Sequence, residues 1–282
     1  MMLEKQKINA TTYLIAALLI SSLLVVYLIN DFAVKLLILL LIIAGVYILF
    51  LIQKKQNEKL LQKQSEFYNL KSNLLQSSLD PHFLFNALNS VSFSIHKDSH
   101  DAAISNLTTF SKLMRISLNN IDKFGHELSE EIDFIKNYLT LEKFRFKDQF
   151  DYTIKIQPYV NDMVKVPAFG VFCFVENALK KGVLSRQGGG QITIEVDKNP
   201  IDKELVISIL DNGVYRDLTD SENFTHNINV ANTLIEKINA INEQQIRVSY
   251  SVGSEQHGEK IGCKVEMRIP TELSYKLTAD TF

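Results

Sequence analysis

Two apolar runs near the start of the chain, Thr11 to Ile29 and Phe32 to Ile52, lie only Asn30 and Asp31 apart. A helix rises about 1.5 Å per residue, so each run is long enough to cross the roughly 30 Å hydrocarbon layer of a bilayer. The first run carries no charge, and Tyr13 and Tyr27 stand near its ends, where aromatic belts sit. A cleaved signal peptide would have a shorter apolar core ending in small residues, which Val25-Val26-Tyr27-Leu28-Ile29 does not. Lys35 lies near enough to the end of the second run to snorkel. The expectation is a two-helix transmembrane hairpin over residues 1–52. Lysines cluster before the first run (Lys5, Lys7) and after the second (Lys54, Lys55, Lys59), which orients both termini to the cytoplasm of a multi-pass protein of the cell (inner) membrane. A two-residue link leaves no room for an extracytoplasmic sensing domain. A stimulus then arrives through the bilayer, a membrane-protein partner or envelope stress.

The 282 residues are long enough for about two domains, with the membrane segments taking part of that length. A formal net charge of −2 without a dense basic block excludes bulk attraction to nucleic acid. Cys173 and Cys263 both fall in the cytoplasmic part, where two thiols are expected and no disulfide. From Gln53 to Ser78 the chain is polar and lysine-rich, while Leu60, Phe67 and Leu74 recur every seven residues with Leu70 on the adjoining seam. That pattern reads as a short coiled-coil linker, or else as a solvated amphipathic helix.

Next comes Ser78-Leu79-Asp80-Pro81-His82-Phe83-Leu84-Phe85-Asn86-Ala87-Leu88-Asn89. Asp80-Pro81 either starts a new helix or kinks the existing one. On a helix, Asn86 shares a face with His82. A neutral imidazole is a nitrogen nucleophile, so a helix-borne histidine can accept a phosphoryl group without a strong base. Pro-His-Phe-Leu-Phe-Asn followed by Asn89 resembles the phospho-acceptor segment of the LytS-type sensor histidine kinases. The resemblance implies that His82 is the acceptor, with Asn86 beside it. Asp101 to Leu118 repeats apolar residues at close to a 3.6 period. With the His82 helix and a turn around His96 to Ser99 it makes an antiparallel hairpin, which on dimerisation gives a four-helix bundle with His82 on its outer surface. Leu128 to Phe146 is a further helix. Its acidic pair Glu130-Glu131, Tyr138-Leu139 and Arg145-Phe146 also resemble the family.

From Asp151 the period changes to two. Tyr152–Gln157, Gln191–Val196, Glu204–Leu210, Ile246–Val252 and Gly262–Ile269 read as strands, and Ala168–Val183 and Asn229–Asn242 as helices. The expected fold is an α/β sandwich with helices on one face of a mixed sheet. Glu176-Asn177-Ala178-Leu179-Lys180-Lys181-Gly182 resembles the asparagine box of the GHKL (Bergerat) ATP-binding domain, and Asp211-Asn212-Gly213, at the end of a predicted strand, resembles its adenine-binding motif. The resemblance implies ATP and Mg²⁺ as cofactors, with a metal-ligating amide oxygen from Asn177, since Mg²⁺ takes hard oxygen ligands. Glu176 would act as a base, Lys180 would reach a phosphate, Asp211 would accept from the adenine amino group, and Gly213 would let the backbone approach the ring.

The implied organisation is a membrane region over 1–52, a linker over 53–78, dimerisation helices over 79–147 and a GHKL-type domain over 148–275. The implied function is a membrane-bound homodimeric sensor histidine kinase that autophosphorylates His82 and passes the phosphoryl group to a cytoplasmic response regulator. Six positions depart from the family pattern. Val214-Tyr215 stands where Pro-Gly is usual, Lys181 where the box closes in histidine, Asn227 and Asn229 where two glycines precede Asn232, and Val230 where a leucine stands. Those glycines present backbone amides to phosphates. Their loss, with only a short segment between Gly213 and Asn227 to act as a lid, keeps open an alternative: a pseudokinase or scaffold of the same fold. A purely structural dimerisation protein would leave the histidine segment unexplained.

Overall fold

The computed structural model describes residues 17, 20, 21, 24, 27, 32–78, 80–96, 100–120, 122–147, 149–184, 189–199, 203–215, 226–256 and 259–278. It separates into two compact units, residues 1–63 and 64–282. In the first, residues 17, 20, 21, 24 and 27 are helical, while most of the first expected span and the Asn30-Asp31 link lie outside the described residues. Helix α1 (Phe32–Ser78) begins with the second apolar run. It contains a window of mean hydropathy 2.9, long and apolar enough to cross a membrane.

In the second unit the last turns of α1 carry Phe67, Leu70 and Leu74. Leu70 and Leu74 are buried in one cluster with Phe83, Ala87 and Phe124, and the Phe67 ring meets Phe124 edge-on at 5.6 Å. The heptad stripe beyond Leu60 is therefore packed within its own chain, and only Leu60 remains exposed.

Helix α2 (Pro81–His96) starts afresh at the Asp-Pro pair, so the new-helix alternative holds over the kink. The Asp80 Oδ1 accepts from the His82 backbone N–H at 2.9 Å, the side-chain cap that satisfies one open donor of the first turn. Helix α3 (His100–Asn120) follows and packs on α2, and residues 97–99 of the expected turn lie outside the described ones. Helix α4 (Leu128–Arg145) touches both, and its Leu128, Phe134, Ile135 and Leu139 are fully buried.

Two three-residue strands, β1 (Gly125–Glu127) and β3 (Lys165–Pro167), form a small antiparallel sheet that the sequence pattern does not reveal. The main sheet has strand order β2-β4-β5-β7-β6, with β2 (Phe150–Ile156), β4 (Gly190–Asn199), β5 (Glu204–Tyr215), β6 (Arg247–Gln256) and β7 (Glu259–Pro270). Only β2 and β4 are parallel, so the sheet is mixed as expected. Rows such as Ile154–Ile194–Ile209–Val265 and Val196–Ile207–Met267 run across it and build the core. Against them lie α5 (Gly170–Asn177), its π-helical continuation Ala178–Val183, and α6 (His226–Ala240). The opposite face is polar, with Lys264 and Arg268 holding Glu266 at 2.8 and 2.7 Å and Lys155 holding Glu195 at 3.1 Å. One dry face and one wet face make the α/β sandwich. Both cysteines are buried and unbridged.

Candidate functional site

His82 is exposed one residue into α2. Four residues on, the Asn86 Nδ2 lies 3.2 Å from its Nδ1 and 3.1 Å from its Nε2. An amide N–H can donate to whichever ring nitrogen lacks a proton, so Asn86 restrains the ring in either tautomer. The preceding Asp80 connects this helix to the sheet domain. Its Oδ2 lies 3.7 Å from Lys180 Nζ, and Lys180 in turn donates to Glu176 Oε1 at 2.7 Å. Lys180, expected at a phosphate, is thus shared between two carboxylates.

Glu176 is the last residue but one of α5 at 2 % exposure, and its other oxygen accepts from the Asn227 side-chain amide at the start of α6. Asn177 follows it, buried, at the point where α5 passes into the π-helical turn. The turn is closed by Leu184 N–H donating to Leu179 O at 2.9 Å, a five-residue bond of the kind that recurs at functional sites. Asn229 is exposed and its carbonyl accepts from Thr233 Oγ.

Asp211 does not end its strand. Strand β5 runs on to Tyr215, with a register shift between Asp211 and Val214 that accommodates Asp-Asn-Gly. Asp211 Oδ1 accepts from the Gly213 N–H at 2.7 Å and Oδ2 from the Tyr215 hydroxyl at 2.9 Å. Asn212 Oδ1 accepts from the Gln191 N–H at 2.8 Å, tying the motif to β4. Burial pushes the Asp211 carboxyl up to about 6, against the pull of its hydrogen bonds from Gly213, Tyr215 and Cys263. The same burial, with Asp211 beside it, pushes the Cys263 thiol up to about 12. Gly213 faces the backbone of Gly182, where an added Cβ would stand 2.3 Å from the Gly182 Cα. Its missing side chain serves contact between β5 and the π-helical turn.

Most of the segment from Gly213 to Asn227 that would cover a nucleotide falls outside the described residues. Among the described residues no cluster of three histidine, cysteine or carboxylate side chains suits a metal. The donor set is one Asn177 amide beside Glu176, adequate as one protein ligand for a hydrated Mg²⁺. At the other end both Asp211 oxygens already accept hydrogen bonds, Oδ1 from the Gly213 N–H and Oδ2 from the Tyr215 hydroxyl.

The sequence pattern does not reveal the buried pair of His126 and Glu131. Glu131, fully buried in the first turn of α4, accepts from His126 Nε2, from the Phe169 N–H at 3.0 Å and from the Phe172 N–H at 2.8 Å. It therefore caps α5 from another element. Phe169, at that cap, adopts φ 57°, a left-handed conformation costly for an aromatic residue. Packing of its ring on His126 and Phe134 holds it there. The acidic pair was the available signal.

A groove of about 1070 Å³ runs between α2, α3, α4 and β2, lined among others by Asn86, Asn89, Asn106, Lys143, Arg145 and Tyr152. It includes none of Glu176, Asn177, Lys180 or Asp211. The candidate residues thus fall into two groups. His82 and Asn86 lie on α2, and Glu176, Asn177, Lys180, Asp211 and Gly213 lie where α5 meets the sheet.

Residues 70–150 match the family model for histidine kinases. The sensor protein LytS of Enterococcus faecalis is 32% identical over 139 residues, covering 49% of this chain and 23% of that protein. The resemblance to the LytS-type sensor histidine kinases holds. LytS of Streptococcus agalactiae is 29% identical over 206 residues, 71% of this chain and 34% of the relative. Sensor histidine kinase BtsS of Escherichia coli is 32% identical over 176 residues, 61% of this chain and 29% of the relative. The chain thus spans about a third or less of the length of these relatives. Among solved structures, the histidine kinase domain of the Erythrobacter litoralis blue-light activated kinase aligns with TM-score 0.39 and 13% identity, over 68% of this chain and 96% of that one, too slight a likeness to argue from.

Proposed function

We propose that this chain is the membrane-bound core of a two-component sensor histidine kinase that phosphorylates His82 from Mg·ATP and passes the phosphoryl group to a cytoplasmic response regulator. The observation that carries the reading is the exposed His82 held by Asn86, with Asp80, Lys180 and Glu176 linking its helix to α5. The transfer is balanced simply. The unprotonated ring nitrogen of His82 attacks the γ-phosphorus, the bond to ADP breaks, and the proton on the other nitrogen is lost to solvent or to a carboxylate. Asn177 supplies the metal ligand, Glu176 positions the box, and Asp211 with Gly213 forms the base end of a GHKL-type site.

The chain acts as a homodimer in this reading. Helices α2 and α3 leave Phe85, Leu88, Phe93, Ile95, Ile104 and Leu107 exposed, Phe85 at 66 %. So much apolar surface on one hairpin suits a second copy forming the four-helix bundle. The apolar start of α1, with the lysines that follow it, supports a cell-membrane location with cytoplasmic termini and a lipid or membrane-protein partner. The formal net charge of −2 supports a reading without direct contact with nucleic acid. The test is incubation of the full chain in lipid nanodiscs with Mg·[γ-³²P]ATP. Acid-labile label on the parent and none on His82→Gln supports the assignment, whereas equal label on both refutes it.

A further inference from the structure

We infer that Tyr215 is a resident occupant of the base end of the nucleotide site, and that a purine must displace its hydroxyl from Asp211 to bind. The inference rests on the kinase reading above and concerns which residue governs affinity and base selectivity there. A carboxylate recognises a base through an exocyclic amino group, which needs an accessible acceptor oxygen. Both Asp211 oxygens already accept a bond here. Gly213 N–H holds Oδ1 at 2.7 Å and Tyr215 O–H holds Oδ2 at 2.9 Å.

Tyr215 is only 2 % exposed, and its hydroxyl is wedged against the π-helical turn. A Cβ built on Gly182 would stand 2.4 Å from that hydroxyl oxygen and 2.9 Å from Asp211 Oδ1. Gly182, Gly213, Asp211 and Tyr215 thus close on one another where the turn meets β5. The second carboxylate of the site is occupied in the same way, Glu176 by the side chain of Asn227. Both occupants stand at positions where the resembling kinases carry glycine, which has no side chain to offer.

A ligand that binds only the fraction of molecules with the site open has its dissociation constant raised by the inverse of that fraction. Removing the occupant removes that factor, and the gain appears only for a base that donates to Asp211. The experiment is a fluorescence titration of the full chain in nanodiscs with ribose-labelled methylanthraniloyl derivatives of ATP and ITP, in the presence of Mg²⁺. ITP carries an acceptor where ATP carries the amino donor. Tyr215→Ala is expected to bind the ATP derivative at least tenfold more tightly than the parent and the ITP derivative less than threefold more tightly. Adding Asp211→Asn should cancel the gain. Tyr215→Phe keeps the ring and removes the hydroxyl, so it should shift ATP affinity in the same direction by at least threefold. It also decides the matter if Tyr215→Ala melts early. Folded variants that bind ATP no better than the parent overturn the inference, as does an equal gain for ITP. A parent that already binds ATP tightly through Asp211 overturns the inference alone and leaves the kinase reading standing. Absence of binding in every variant overturns both.

Discussion

Glu131 offers the most direct test of how the helical part holds the sheet domain. Replacing it with alanine strands three buried donors, the ring N–H of His126 and the backbone N–H groups of Phe169 and Phe172. Each unmet buried donor costs about 1–3 kcal/mol. Local relaxation of Phe169, whose φ of 57° is held only by its surroundings, returns part of that cost. A net loss of about 4 kcal/mol is the expectation, built from the lower half of that range. In a unit of this size each kcal/mol moves the midpoint by about 2–4 °C, so Glu131→Ala should melt about 8–16 °C below the parent. Glu131→Gln keeps one acceptor oxygen and turns the other into a donor facing His126 and Phe169, so about 1–3 kcal/mol is expected. Exposed Asp133 in the same helix is the control, and Asp133→Asn should stay within about 0.5 kcal/mol. Scanning calorimetry of the full chain in nanodiscs reads all three. Glu131→Gln melting within about 2 °C of the parent would refute the cap, since a carboxylate shared by three donors cannot be exchanged so cheaply.

Stability should also depend on pH through Asp211. Its folded value of about 6 lies above the ordinary 3.8, so the folded state binds the extra proton between those values. Stability then falls as pH rises from about 4 to 6 and is level above, by at most about 3 kcal/mol at 1.36 kcal/mol per pH unit. Asp211→Asn should flatten that slope in calorimetric melts taken across the range, and an unchanged slope would assign it to other groups. Gly213→Ala, whose Cβ would meet the Gly182 backbone at 2.3 Å, should cost about 3 kcal/mol or more by the same calorimetry. Phe85→Glu should shift the chain toward monomer in light scattering from nanodisc-free detergent, because it places a charge in the proposed bundle seam. Asp80→Asn keeps an N-cap acceptor while losing the pair to Lys180, so its melt should move by less than about 1 kcal/mol even though the link between the helices and α5 is cut.

Much of this was legible because periodicity reports burial directly. The strand rows through Ile194, Ile209 and Val265 show as alternation, and α4 was expected over 128–146 and runs over 128–145. The heptad at Phe67, Leu70 and Leu74 was legible as an apolar stripe but not as to its partner, since spacing does not say whose core receives it. Strands β1 and β3 are too short to alternate. Asp-Asn-Gly reads as a turn, yet it sits in a register shift inside β5, which only cross-strand pairing reveals. The functions of Glu131 and Tyr215 depend on residues about 40 and 4 positions away, brought together by α5 and by the shift. A first-turn glutamate ordinarily faces solvent, and nothing local marks this one as buried.

The burial of α4 bears on how such proteins exchange parts. A junction after residue 147, the boundary that the motifs suggest, would leave Phe134 and Tyr138 without the aromatic wall of Phe169 and Phe172. Chimeras spliced there should emerge insoluble. Those joined before Phe124 transplant the β1–β3 ribbon, α4 and the sheet together, and so keep the contacts of Phe134 and Tyr138 with Phe169 and Phe172.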